Sequence, residues 1–244
     1  MKKRKLIIPL TILVLLSACA IYLSTGYKAT PEAKKLLEGS SLYSVESKSY
    51  GTEFIPSSSE NTIGVIVYPG GKVQHTAYSP IASGIAEGGY LTVIAKMPFN
   101  LAIFNSNAAD SIIKAHSEIN TWVICGHSLG GVMASSYAIK HTDKIQGIVF
   151  WAAYPKDDMS SSSIKALSLH GTLDGLVSKD KLTDTKKLFP KDTEFVEIEG
   201  GNHCSFGSYG FQKGDNKAEI TATQQQEIAV ETMLEFLKTS DPQF

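Results

Sequence analysis

Cysteine is scarce: only Cys19, Cys125 and Cys204 occur in 244 residues, too few and too scattered for a disulfide framework. An excess of one charge is also missing. The formal net charge is −1, which gives no electrostatic reason to expect nucleic acid as a partner. No set of His, Cys, Asp and Glu residues shows metal-ligand spacing, so no metal site is expected. No glycine-rich loop opens a helix in the way that cradles phosphate, since Gly88-Gly89 closes a helix instead. No cofactor is implied. Internal repeats and low-complexity stretches are absent, and the length suits one α/β domain with a full core.

What the sequence does have begins at its start. Lys2, Lys3, Arg4 and Lys5 precede the almost wholly apolar run Leu6–Leu23, the pattern of a secretory n-region and h-region. Removing those four charges leaves about −5 on the remainder. Leu16-Ser17-Ala18-Cys19 matches a bacterial lipobox, in which cleavage precedes a cysteine that then carries lipid. Ala20-Ile21-Tyr22-Leu23 stays apolar beyond that point, and an uncleaved helix of about 18 residues is just long enough to span a bilayer. Either reading keeps the basic end in the cytoplasm and places the rest outside, anchored at the cell membrane. The expected organisation is an anchor over 1–23, a tether over 24–42 and one catalytic domain over 43–244.

Within that domain, Tyr43–Ser47 and Tyr50–Ile55 suggest a small antiparallel pair. Strands are expected at Ile63–Tyr68, Leu91–Lys96, Trp122–Cys125, Ile145–Trp151, Ala166–His170 and Glu194–Ile198. Helices are expected at Tyr78–Glu87, Ser106–His116, Leu129 to about His141, Lys179–Phe189 and Ala222–Lys238, the last with Thr221 as N-cap. Alternation of this kind gives an α/β fold, a mostly parallel sheet with helices on both faces.

The stretch Thr121–Gly131 organises the rest. It reads as a buried strand, then Gly126-x-Ser128-x-Gly130, then a helix, the context of a nucleophile elbow. So tight a turn holds Ser128 in a strained backbone and leaves no room for side chains two residues either side. The N–H of Leu129, at the helix start, can stabilise an oxyanion.

A serine needs a base, and the base needs an orienting group. Three histidines follow Ser128 in the chain. His141 ends the elbow helix, and His170 lies at a strand end. His203 sits in the glycine-rich loop after the last strand, where the base is expected. Asp174, in the turn after the preceding strand, is the favoured acid, and Asp157 and Asp158 compete with it. The loop Tyr68-Pro69-Gly70-Gly71-Lys72-Val73 should supply the second oxyanion donor, with the N–H of Gly71 first and Lys72 next. Lys72 could also attract a substrate carboxylate. Cys125 reads as strand filler and Cys204 as a neighbour of the base.

These pieces resemble the α/β-hydrolase superfamily, most closely its compact fold-5 branch, over roughly residues 45–238. The matching runs are Tyr68-Pro69-Gly70-Gly71, Gly126-His127-Ser128-Leu129-Gly130-Gly131, Gly171-Thr172-Leu173-Asp174 and Gly201-Asn202-His203, with Phe206–Asp215 resembling the branch. The superfamily's usual oxyanion-loop His-Gly stands here as Pro69-Gly70. The resemblance implies an α/β-hydrolase fold and hydrolysis of carboxylic esters or related acyl compounds. An acyltransferase would share the same site, and a catalytically silent binding protein could share the fold. Only Ala152 to about Lys165 separates two strands where many relatives insert a lid, and that gap lacks an apolar face. The expectation is an open site without a lid domain, favouring short acyl chains. Phe206, Tyr209 and Phe211 either wall a shallow pocket or pack inward.

Overall fold

A computed structural model describes Ser17 and residues 25–58 and 62–240. The apolar run 6–23, Ser17 apart, and with it the expected anchor, lies outside the described residues. No helix among the described residues is long and apolar enough to cross a membrane.

Eight strands form one sheet: β1 Tyr43–Ser47, β2 Gly51–Pro56, β3 Ile63–Tyr68, β4 Leu91–Ala95, β5 Thr121–His127, β6 Ile145–Trp151, β7 Lys165–Gly171 and β8 Glu194–Ile198. Their order is β1-β2-β4-β3-β5-β6-β7-β8. β2 pairs antiparallel with both β1 and β4, while β3 to β8 are parallel to one another. The helices are α1 Pro31–Lys35, α2 Ser79–Glu87, α3 Ala108–Ala115, α4 Leu129–Ala138, α5 Lys179–Thr185 and α6 Ala222–Ser240.

The strand residues alternate between two apolar layers because successive side chains point to opposite faces. Val65, Val67, Val123 and Val149 meet Ile81 and Ile85 of α2 and Met233 and Phe236 of α6. Ile66, Ile124, Ile148 and Phe150 meet Ile112 of α3 and Met133 and Tyr137 of α4. Each aliphatic side chain buried this completely contributes about 1.5–3 kcal/mol relative to exposure. With both faces covered, the central strands carry almost no polar side chain, which is why they read as continuous apolar runs.

This topology positions the site. From β3 the chain moves outward to β4, then crosses back to β5 on the other side of β3, so β3 and β5 flank the switch point where ligands of such sheets bind. Tyr68 and Gly126 are register partners at the carboxyl ends of those strands. The loops that follow them therefore leave the sheet side by side.

The segment expected as a tether is docked on the domain. Tyr27 bridges to Val73, Thr30 N–H donates to the Ser208 carbonyl at 2.9 Å, and Ala29 and Ala33 are buried. Thr30 caps α1, its hydroxyl accepting from Ala33 N–H at 3.3 Å. Proline, lysine and glycine made this stretch look like a linker. Two alanines are enough to seat it, because small side chains let the backbone lie close. The 152–165 gap holds no helix, and Met159 and Ile164 are buried in it, so no helical lid is inserted there.

Candidate active site

Ser128 has φ 51° and ψ −124° between β5 and α4. A non-glycine residue held there costs about 1–3 kcal/mol, and the surroundings enforce it. Its N–H donates to the Trp151 carbonyl at 3.0 Å, and its own carbonyl accepts from Val132 N–H at 3.2 Å. A Cβ on Gly126 would stand 2.5 Å from the Gly131 nitrogen, and one on Gly130 would run into the carbonyl oxygens of Tyr68 and Pro69. Both glycines are therefore required by contact.

His203 follows β8, and Asp174 follows β7. Asp174 Oδ2 lies 2.9 Å from His203 Nδ1, with both side chains almost fully buried. A carboxylate only accepts, so Nδ1 carries a proton, and in the neutral ring Nε2 then presents a lone pair. His203 Nε2 is buried with no hydrogen-bond partner among the described residues. Asp174 Oδ1 accepts from Leu176 N–H at 2.8 Å and Val177 N–H at 2.7 Å, which fixes the carboxylate. The His203 ring centroid lies 4.7 Å from that of His127, the residue before Ser128.

The loop that carries His203 is held by buried polar groups. Asp215 Oδ1 accepts from the N–H groups of Gly175, His203 and Asn216 at 3.0, 3.3 and 2.9 Å, and Oδ2 accepts from Cys204 N–H at 2.8 Å. One carboxylate thus joins the acid loop to the histidine loop. Gln225 of α6 reads Asn202 as a strand neighbour would, accepting from its N–H at 2.9 Å and donating to its carbonyl at 2.8 Å. Gln226 donates to the Ser205 carbonyl at 3.0 Å.

The loop after β3 turns tightly, with Val73 N–H donating to the Gly70 carbonyl at 3.2 Å and Lys72 at φ 64°. A Cβ on Gly71 would lie 3.1 Å from Leu129 Cδ2 and 3.5 Å from its Cβ, so Gly71 packs against the Leu129 side chain. Leu129 is the first residue of α4, where the N–H has no intrahelical acceptor. Behind them runs a directed chain of hydrogen bonds. Gly70 N–H donates to the Tyr78 hydroxyl at 2.9 Å, Tyr78 lies 2.7 Å from His127 Nδ1, and His127 Nε2 lies 3.0 Å from the His203 carbonyl. The carbonyl can only accept, so Nε2 bears the proton and Tyr78 donates to Nδ1. Burial pushes His127 well below the usual imidazole range, and the neighbouring His203 adds to it. His127 is neutral, and it ties the loops after β3 and β8 to the elbow.

A sequence model of the alpha/beta hydrolase family matches residues 64–227. The chain belongs to the alpha/beta hydrolase family. None of the curated proteins matches it in sequence. Among solved structures it is similar to the naproxen esterase (carboxylesterase NP) of Bacillus subtilis, with TM-score 0.58 and 12% identity over 84% of this chain and 94% of that one. It is also similar to a monoacylglycerol lipase of Paleococcus ferrophilus, with TM-score 0.55 and 16% identity over 72% of this chain and 94% of that one. A predicted CIB-like hydrolase of Thermoplasma acidophilum gives TM-score 0.56 and 14% identity over 81% and 99%. At these identities the likeness is one of fold.

In this alpha/beta hydrolase the other candidate residues make contacts of their own. Asp157 accepts from the Ser136 hydroxyl at 3.1 Å, and Asp158 accepts from Ser160 N–H at 2.9 Å. His141 stacks on Tyr137 at 3.9 Å, and His170 faces Glu197 at 3.4 Å. Lys72 Nζ donates to the Thr25 hydroxyl at 3.2 Å. Cys125 is fully buried, and burial pushes its thiol well up. Burial also pushes the Cys204 thiol up to about 11. The aromatics of the histidine loop divide: Phe206 and Tyr209 pack inward against His127, with ring centroids 5.8 and 6.5 Å away, while Phe211 is exposed. Sequence reasoning missed Tyr78, the role of His127, and Asp215 as a loop clamp. Asp215 could have been found as a lone carboxylate closing a glycine-rich run, but no local pattern marks Tyr78.

Proposed function

We propose that the chain is a membrane-anchored, extracytoplasmic serine hydrolase that cleaves carboxylic esters of small or short-acyl type. Ser128 Oγ attacks the acyl carbonyl carbon as its proton passes to His203 Nε2. The carbonyl π electrons move to oxygen, and the N–H groups of Gly71 and Leu129 hold that oxyanion. Collapse breaks the ester C–O bond, and the proton on His203 leaves with the alcohol. Water then repeats the sequence on the acyl-serine, releasing the acid and restoring Ser128. Asp174 keeps His203 in the tautomer that accepts at Nε2 and stabilises the imidazolium that forms.

The observation that carries this reading is the 2.9 Å contact between Asp174 Oδ2 and His203 Nδ1, which leaves His203 Nε2 as a buried lone pair without a partner among the described residues. The strained Ser128 at the strand–helix turn supports it. The esterase and lipase among the similar folds agree with acyl chemistry. The basic start and the run Leu6–Leu23 support anchoring, and the lack of a helical insertion over 152–165 supports short acyl groups.

Two experiments test this. A p-nitrophenyl ester series from acetate to palmitate should show turnover highest for the shortest chains, and a flat or rising profile contradicts the acyl reading. Intact mass of the membrane-extracted protein should show either lipid on Cys19 with residues 1–18 gone, or the whole uncleaved chain. A soluble product cleaved of all of residues 1–23 contradicts anchoring.

A further inference from the structure

We propose that one flank of the active-site mouth, built from residues 26–34 and 96–104, is a docking surface for an anionic lipid bilayer. This rests on the anchoring proposed above.

Lys28, Lys34 and Lys96 line one concavity of about 650 Å3 together with Phe99, and no acidic residue lines it. All three lysines are exposed, and none is in an ion pair among the described residues. Beside them Phe99, Ile103 and Phe104 are 55%, 51% and 52% exposed. The rings of Phe99 and Phe104 meet edge-on at 5.8 Å. Phe99 and Asn100 both sit in the left-handed region, at φ 54° and 56°. The fold therefore holds a strained loop whose large apolar side chains face solvent, an arrangement that normally marks a contact surface. Exposed Glu32 is the one acidic residue within 26–34, against the three lysines. Apolar side chains beside a cluster of lysines suit the headgroup boundary of a bilayer, where rings enter the apolar layer and ammonium groups meet lipid phosphates.

Charge sets the orientation. The chain beyond residue 5 carries about −5, so an anionic surface repels most of the domain and attracts this concavity. Chain geometry agrees. Tyr27 N–H donates to the Lys72 carbonyl at 2.7 Å, which pins the chain beside the oxyanion loop. Only four residue steps separate Tyr27 from Leu23, the last of the apolar run, and four extended steps reach about 14 Å. From Cys19 the reach is about 28 Å. Under either form of anchor the edge that bears Ser128 is tethered close to the membrane. The lysine–aromatic flank adjoins the site itself, because a Cβ on Gly71 would lie 3.7 Å from Leu101 Cδ2. The loops after β7 and β8 lie on the other flank.

The test uses the full-length protein in vesicles whose acyl chains are brominated, with Phe104→Trp as reporter. Leu42→Trp is the control, because Leu42 is 55% exposed and lies just before β1, at the end of the sheet away from the carboxyl end of β4 that leads into the patch. The emission of Phe104→Trp should be quenched in vesicles containing phosphatidylglycerol and less so in phosphatidylcholine alone. Quenching should be lost when Lys28→Glu, Lys34→Glu and Lys96→Glu are combined, with hydrolysis of a water-soluble ester unchanged. If the protein floats with the vesicles but Phe104→Trp is quenched no more than Leu42→Trp, anchoring stands and docking is overturned. Failure to float overturns both. A changed acyl-length preference in Phe99→Ser and Phe104→Ser without any quenching of the reporter would assign the patch to substrate and overturn docking.

Discussion

The Tyr78 hydroxyl donates to His127 Nδ1 across 2.7 Å, joining residues 49 positions apart. Because Tyr78 also accepts from Gly70 N–H, and His127 Nε2 donates to the His203 carbonyl, the loops after β3, β5 and β8 are held by one set of buried hydrogen bonds. A satisfied buried network fixes relative position more firmly than its separate bonds would.

Tyr78→Phe should therefore cost about 1–3 kcal/mol of stability, since it leaves Gly70 N–H and His127 Nδ1 buried without partners. Turnover should drop about tenfold by displacement of the Gly71 donor, at roughly 1.4 kcal/mol per tenfold. KM should change little and Ser128 should still label with a fluorophosphonate. Urea unfolding and ester kinetics check both parts. Unchanged kinetics would reduce Tyr78 to a packing residue.

Much of this chain was legible in its sequence, and the limits have physical causes. Gly126-x-Ser128-x-Gly130 is a local pattern whose spacing is dictated by contacts across one turn, so the strained serine could be read directly. The apolar strands β3 and β6 were legible because burial leaves nearly continuous apolar runs, with exposed Gln146 near the start of β6 the one amide or charged side chain in them. His203 and Asp174 could be placed by chain order after successive strands. Tyr78, His127 and Asp215 act through partners far away in sequence, and no period or local composition records such pairings. The docking of residues 27–38 was hidden because it depends on Ala29 and Ala33, small residues that signal nothing in isolation. The 97–105 loop has no periodicity, and its exposed Phe99 and Phe104 look like ordinary core residues until the backbone is seen.

Asp174→Asn should lower kcat by about 10⁴, because an amide can present its NH₂ to Nδ1 and favour the wrong His203 tautomer. Asp157→Asn should leave kcat within about twofold, since Asp157 serves only Ser136. Steady-state kinetics on one soluble ester compare the two. A larger loss in Asp157→Asn would move the acid to the loop after β6.

Asp215→Asn removes charge from a carboxylate that accepts four backbone N–H groups. Hydrogen bonds to a charged group are worth about 1.5–3 kcal/mol each when made well, so melting should fall by several degrees. Because Asp215 acts through the His203 loop, kcat should fall while KM holds. An equal loss in both would mean that Asp215 meets substrate.

Stability should decline on the acid side of neutrality. Burial pushes His127 well down and His75 down to about 4. The folded state keeps both neutral, while the unfolded chain takes up a proton on each below about 6.5. Stability is then fully present above that pH and is lost as pH falls toward the folded values. Each histidine adds a slope of about 1.4 kcal/mol per pH unit in that window. Urea midpoints between neutral pH and pH 5 read this directly, and His75→Asn should remove one proton's share of the slope. A flat profile would show that neither imidazole is held neutral.

The most direct measurement is fluorophosphonate labelling of the full-length protein with tryptic mapping, set beside Ser128→Ala. One adduct is expected, on Ser128, and in Ser128→Ala the loss of both the adduct and ester turnover with an unchanged melting temperature. An adduct on any other serine, or turnover that survives Ser128→Ala, would contradict Ser128 as the nucleophile.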